Sequence, residues 1–203
     1  MRLSKLLCAV ALAGCSGLAA AQPSYSHFEL GYIADADFDK LDQGDGVDLR
    51  LRFKLGESFF FHGHVADAEG DDSGAQIDTF GLALGFQWVW LEKLGLYATY
   101  GFEDLELSDV VLTGLAPDFD DKGQGFELGA RYPLLEGKLE LGFEVDYDTY
   151  DHAEARFYEL AGVYALTPSF SAVVTYTTGE YDFDDAEDTV DRSDIRVGLR
   201  VQF

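Results

Sequence analysis

Carboxylates dominate the chemistry this sequence can offer. Five stretches, 35–48, 67–72, 103–122, 146–154 and 180–192, hold 28 of the 38 acidic residues and only three basic ones, Lys40, Lys122 and Arg192. Within them, Asp35/Asp37/Asp39, Asp118/Asp120/Asp121 and Asp182/Asp184/Asp185 have the close spacing of hard-cation ligands. Oxygen donors of this kind suit Ca²⁺ or Mg²⁺, bound weakly. The EF-hand pattern is absent, because no cluster has its glycine and closing glutamate in place. The competing reading is a solvated acidic face with diffuse counterions. His62 and His64 share one face of a strand, roughly 6.5–7 Å apart, a spacing that can ligate a metal. Arg50, Arg52 and Lys54 from the preceding strand would crowd the same space, which favours a hydrated interior that tolerates histidine. Asp184-Asp185 and Asp151-His152 supply the residue types of a hydrolase. Neighbours on one strand point to opposite faces, however, so no catalytic residue is expected.

The elements that must carry these groups are strands. Apolar residues recur with a period of two in 27–35, 46–56, 59–67, 77–88, 94–103, 123–132, 138–149, 155–166, 170–180 and 194–203. In 138–149, for example, Leu139, Leu141, Phe143, Val145 and Tyr147 alternate with Glu140, Gly142, Glu144, Asp146 and Asp148. The last strand sets Ile195, Val197, Leu199, Val201 and Phe203 against Asp194, Arg196, Gly198, Arg200 and Gln202. An apolar outside, a charged inside and no run of the ~20 apolar residues that a transmembrane helix needs imply a barrel whose outside is lipid. The expected fold is all-β: a single antiparallel up-and-down transmembrane barrel of ten strands, or of eight if two weaker segments are loop hairpins. Short periplasmic turns fall at 56–58, 89–93, 133–137 and 167–169, and the acidic stretches are expected to form longer extracellular loops. Both termini then lie on the periplasmic side.

Alternation also assigns the inside. Arg50, Arg52, Lys54, Arg131, Arg196 and Arg200 face in, as do Glu29, Glu127, Glu140, Glu144 and Glu159. A small barrel has little more interior than its own side chains fill. Buried charges are costly unless they pair, so a lumen network is expected.

Met1 to Ala21 reads as a secretory signal for Sec-type export. Arg2 and Lys5 form its positive start, Leu6 to Ala13 its apolar core, and Ala19-Ala20-Ala21 the small-residue site before Gln22. That makes 22–203 the barrel domain. Leu12-Ala13-Gly14-Cys15 offers the alternative of a lipidated Cys15. Cleavage after Ala21 removes both cysteines and leaves no thiol chemistry. A formal charge of −24 argues against nucleic acid as a partner.

The signal segment, the alternation and the closing Val197, Leu199, Val201 and Phe203 resemble the small porin-like or opacity-type outer-membrane barrels of Gram-negative bacteria. Leu199, Val201 and Phe203 match the signature by which such barrels are recognised for assembly. The resemblance implies an integral outer-membrane protein with a structural, adhesive or narrow-pore role. Its implied partners are membrane lipid, lipopolysaccharide and the barrel-assembly machinery. A rim hydrolase and a soluble periplasmic β-protein that binds a ligand between sheets are the alternatives from other classes.

Overall fold

The computed structural model describes residues 26–38, 42–71, 74–90, 93–109, 118–184 and 189–203. The signal segment and Cys15 lie outside the described residues. Ten strands follow one another: β1 (His27–Phe38), β2 (Asp42–Leu55), β3 (Phe59–Gly70), β4 (Gln76–Trp90) and β5 (Leu94–Ser108). After them come β6 (Phe119–Leu134), β7 (Leu139–Tyr150), β8 (Ala153–Ala165), β9 (Phe170–Phe183) and β10 (Val190–Gln202). Each pairs antiparallel with its neighbour in sequence, and β1 pairs with β10 to close the barrel. Among the described residues there are ten strands, not eight.

Closure removes every free sheet edge, which a membrane-spanning sheet requires. The closing seam runs from His27 opposite Gln202 to Phe38 opposite Arg192, with a bulge between Ile33 and Asp35. Phe203 continues it: its amide donates to the Ser26 carbonyl at 3.2 Å, and its ring lies 6.5 Å from that of Phe53.

The barrel is inside-out relative to a water-soluble one. Leu30, Leu84, Leu128, Phe143, Leu160, Val174 and Leu199 point outward and are about half exposed. Phe53, Phe59, Phe86, Trp88, Tyr132 and Phe170 ring this belt toward the short turns. Tyr32, Tyr100, Phe126, Tyr147, Tyr158 and Tyr176 ring it toward the other end. Two aromatic girdles around an apolar band match a bilayer and its two interfaces. Outward residues run from Leu139 to Tyr147 on β7, about 27 Å of strand. At a tilt of ~40° that covers roughly 20 Å of a hydrocarbon layer.

One expectation holds in part. The connection 109–118 between β5 and β6 is longer than any of the short turns, but much of the other acidic stretches is strand. β1 and β2 are joined through 39–41, and β7 and β8 through 151–152 alone. The strands run on past the aromatic girdle, and their polarity reverses there. On these extensions Asp45, Glu69, Glu106, Asp120, Asp182 and Asp191 face outward and are exposed. Ile33, Ala68, Ile77, Leu105, Leu107, Tyr150, Tyr181, Phe183 and Val190 turn inward and are buried as one cluster. Beyond the bilayer the outside is water, so the same two-residue period puts apolar side chains in and charges out. The Phe119 and Phe183 rings of β6 and β9 meet edge-on at 5.5 Å, so the cluster fills the outer end of the lumen.

Candidate functional site in the barrel lumen

Below the apolar cluster the lumen is filled by charge. Arg196 on β10 is its hub. Its Nη2 lies 2.8 Å from Glu29 Oε1 and donates to Thr175 Oγ1 at 3.0 Å, while Nη1 donates to Asp48. Arg200 donates from Nε to Glu29 Oε2 at 2.7 Å and reaches Glu140 at 3.5 Å. Arg50 bridges Asp48 at 3.2 Å and Glu159 at 2.7 Å. Arg52 donates to Glu127 at 3.0 Å and lies 4.0 Å from Glu144. Its guanidinium also lies over the rings of Phe60 and Tyr97, 4.9 and 4.5 Å from their centres. Arg131 stands 4.0 Å from Glu140 and 5.0 Å from the Tyr97 ring. Lys54 sits at the turn end, partly buried, without an ion pair among the described residues.

Glycines make this packing possible. A side chain at Gly85 would occupy the space of the Phe60 ring, and one at Gly129 that of Tyr97. Gly81 gives way in the same manner to the Glu103 carboxylate and the His64 ring.

The two histidines do face in, with ring centres 6.0 Å apart. Each is taken by a carboxylate: His62 Nδ1 by Glu127 at 3.1 Å, and His64 Nε2 by Glu103 at 3.3 Å. Among the described residues, two cavities lie in the lumen. The outer one, about 110 Å³, is bordered by Glu103, Asp146, Asp148, Tyr150, Phe157 and Tyr181 among others. The inner one, about 30 Å³, is bordered by His27, Arg131, Glu140 and Arg200. Arg50, His62, Glu144 and Glu159 border both and form the septum between them.

The acidic stretches do not form a single outer crown. Asp48, Glu103, Asp121, Asp146 and Asp148 lie within them, yet all five point into the lumen because each falls on the inward parity of its strand. Asp120 is exposed on the outside and Asp121 is buried inside, so these two cannot share a cation. Asp121 instead accepts from the backbone amides of Asp151 at 3.2 Å and His152 at 2.7 Å, capping the β7–β8 turn. The side chains of Asp37, Asp118, Asp182 and Asp184 are exposed. Asp39 and Asp185, and the side chain of Asp35, lie outside the described residues. Asp151 and His152 are likewise turn residues, exposed and tied down through Asp121, rather than a pair converging on a substrate.

A family model described as the outer membrane protein beta-barrel domain matches residues 6–203. The chain belongs to that family. This barrel therefore spans the bacterial outer membrane, with its apolar belt in lipid and the lipopolysaccharide leaflet around its outer girdle. No curated protein matches the chain. Among solved structures, Neisserial surface protein A is similar at 11% identity and a TM-score of 0.47, over 90% of this chain and 100% of that one. The KdgM porin is similar at 10% identity and a TM-score of 0.47, over 87% and 99%. The attachment invasion locus protein of Yersinia pestis is similar at 13% identity and a TM-score of 0.37, over 88% and 99%. Likeness at that level carries no information about activity.

Proposed function

We propose that this outer-membrane barrel is a narrow, porin-like passage for small polar solutes, held shut at two levels. The observation that carries the reading is the pair of polar cavities inside one lumen, with Arg50, His62, Glu144 and Glu159 bordering both. The apolar cluster around Leu105, Tyr181 and Phe183 is the second closure, on the outer side. A passage needs both to yield. We read the protein as non-enzymatic, since most of the charged groups in its lumen are bound to one another rather than poised around a reacting atom.

A structural or adhesive barrel is the second reading. It is favoured by the exposed carboxylates on the strand extensions, which present a charged surface clear of the bilayer. Such a surface attracts counterions, and any calcium or magnesium at Asp182 and Asp184 would be held there loosely. Leu199, Val201 and Phe203 fit an assembly signal because they form the outward parity of the strand that closes the barrel.

Planar-bilayer recording separates the two readings. The wild-type barrel should show small, infrequent openings. A variant carrying Glu159→Ala, Tyr181→Ala and Phe183→Ala, which opens the septum and thins the outer cluster, should conduct several-fold more. If no variant that inserts and migrates as a folded barrel conducts, the passage is excluded and the structural reading stands.

A further inference from the structure

The outer lumen cavity has two unlike walls. On the β1, β2 and β10 side, Arg50 and Arg196 are committed to Asp48, Glu29 and Glu159. On the β5 and β7 side, Glu103, Asp146 and Asp148 border the same cavity with no arginine or lysine partner among the described residues, Glu103 meeting the His64 ring at 3.3 Å. Asp148 is 6% exposed; Tyr150 hydrogen-bonds its carboxyl, but the buried Oδ1 has no partner. Gly125 holds this group together: Asp148 Oδ1 and the Glu103 carboxylate both approach the face where a side chain would stand. Such an acceptor is costly to bury and is retained where something donates to it.

The roof of the cavity is aromatic. Phe157 and Tyr181, whose ring centres are 5.0 Å apart, border it together with Tyr150 and with Arg192, which pairs with Asp194 at 2.8 Å, lies 5.6 Å from the centre of the Phe157 ring and donates to the Tyr181 hydroxyl at 3.3 Å. Carboxylates on one side and aromatic rings on the other make a receptor for a cation that carries carbon, one that would share the Phe157 ring with Arg192. The volume, about 110 Å³, exceeds the ~10–15 Å³ that admits one water. It falls well short of the ~300 Å³ of a drug-sized pocket. The described carboxylates and histidines do not converge on one point as ligands of a metal ion do.

We propose that this cavity binds a small organic ammonium ion, its N–H groups donating to Glu103, Asp146 and Asp148 and its carbons lying against Phe157 and Tyr181. The assignment deepens the narrow-passage reading and rests on it only for the route of entry. Binding itself does not require conduction.

Calorimetric titration of the folded barrel in detergent with ethylammonium chloride is the test, against sodium chloride and calcium chloride at matched ionic strength. Saturable binding is expected for ethylammonium and not for sodium. Asp148→Asn combined with Glu103→Gln should weaken it at least tenfold, while both proteins keep heat-modifiable gel migration as evidence of folding. Thr177→Ser, which borders the cavity without a charge, should bind as wild type does. No saturable heat from ethylammonium, equal heat from sodium, or binding of calcium alone would each overturn the proposal. Conductance recorded without ethylammonium judges the passage reading separately, so either can fail alone.

Discussion

Replacing Arg196 by alanine should destabilise the barrel by about 3–5 kcal/mol, the range for removing one partner of a buried ion pair. Arg196 is 3% exposed and serves Glu29, Asp48 and Thr175, with Glu159 at 3.9 Å. Without it, Glu29 and Asp48 remain buried with less countercharge. Arg200 and Arg50 still hold one oxygen of each, which keeps the loss inside that range. Arg196→Lys should recover little, because a single ammonium cannot span two carboxylates and a hydroxyl as a planar fork does. Arg156→Ala is the matched control. That residue is exposed on the outer surface, 3.5 Å from Glu154, and its loss should cost less than about 1 kcal/mol. Urea unfolding midpoints in lipid vesicles, at unchanged slope, would measure all three. Equal losses for Arg196→Ala and Arg156→Ala would mean that the lumen is wet enough to solvate its charges.

Leu199→Arg should cost about 2–4 kcal/mol, the penalty for a cation on the lipid face near the bilayer midplane. Leu199 is 55% exposed and stands between Leu30 of β1 and Ala172 of β9, all on the outer surface. Lipid covers it, not protein, so the loss comes from desolvating the guanidinium rather than from packing. The mild counterpart is a lumen change that keeps volume and polarity, and Thr177→Ser serves. Folding titrations of both variants into lipid vesicles give the two values side by side. Comparable losses would contradict the assignment of faces.

On sequence grounds alone, Gly198→Ser promises to be as mild, since Gly198 shares the inward parity of Arg196 and Arg200. The backbone says otherwise. A side chain at Gly198 would press on the Leu30 carbonyl and on Gly31 Cα across the β1–β10 seam. Close approach between paired strands leaves no mark on hydrophobic periodicity, which is why alternation could not reveal it.

What alternation could reveal, it did for the membrane-embedded part. Arg50, Arg52, Arg196 and Arg200 on the inside, and Leu30, Phe143 and Leu199 on the outside, follow from counting in twos. Their partners in the lumen were beyond it, because Arg196 meets Asp48 and Glu29 from different strands, and register decides which charges meet. The outer third misled for a different reason. Asp104-Leu105-Glu106-Leu107 and Glu180-Tyr181-Asp182-Phe183 alternate as cleanly as the rest, but with the polar residues outside. Acidic density there reads as loop when it is strand standing in water. The same density hid Glu103, Asp146 and Asp148. Their parity already pointed inward, while their neighbourhood suggested a solvated crown.

The barrel is apolar outside, filled inside and spans the outer membrane. Spin labels placed one at a time along 170–177 of β9, in the protein folded into lipid vesicles, test it most directly. Oxygen enters bilayers and a charged nickel chelate stays in water, so the two relaxers report lipid and solvent separately. Positions 170, 172, 174 and 176 should be relaxed strongly by oxygen, and positions 171, 173, 175 and 177 weakly by either agent. A nickel response at every second position as strong as in free solution would reveal a wide aqueous pore. The loss of any two-residue oscillation would show that β9 does not cross a membrane.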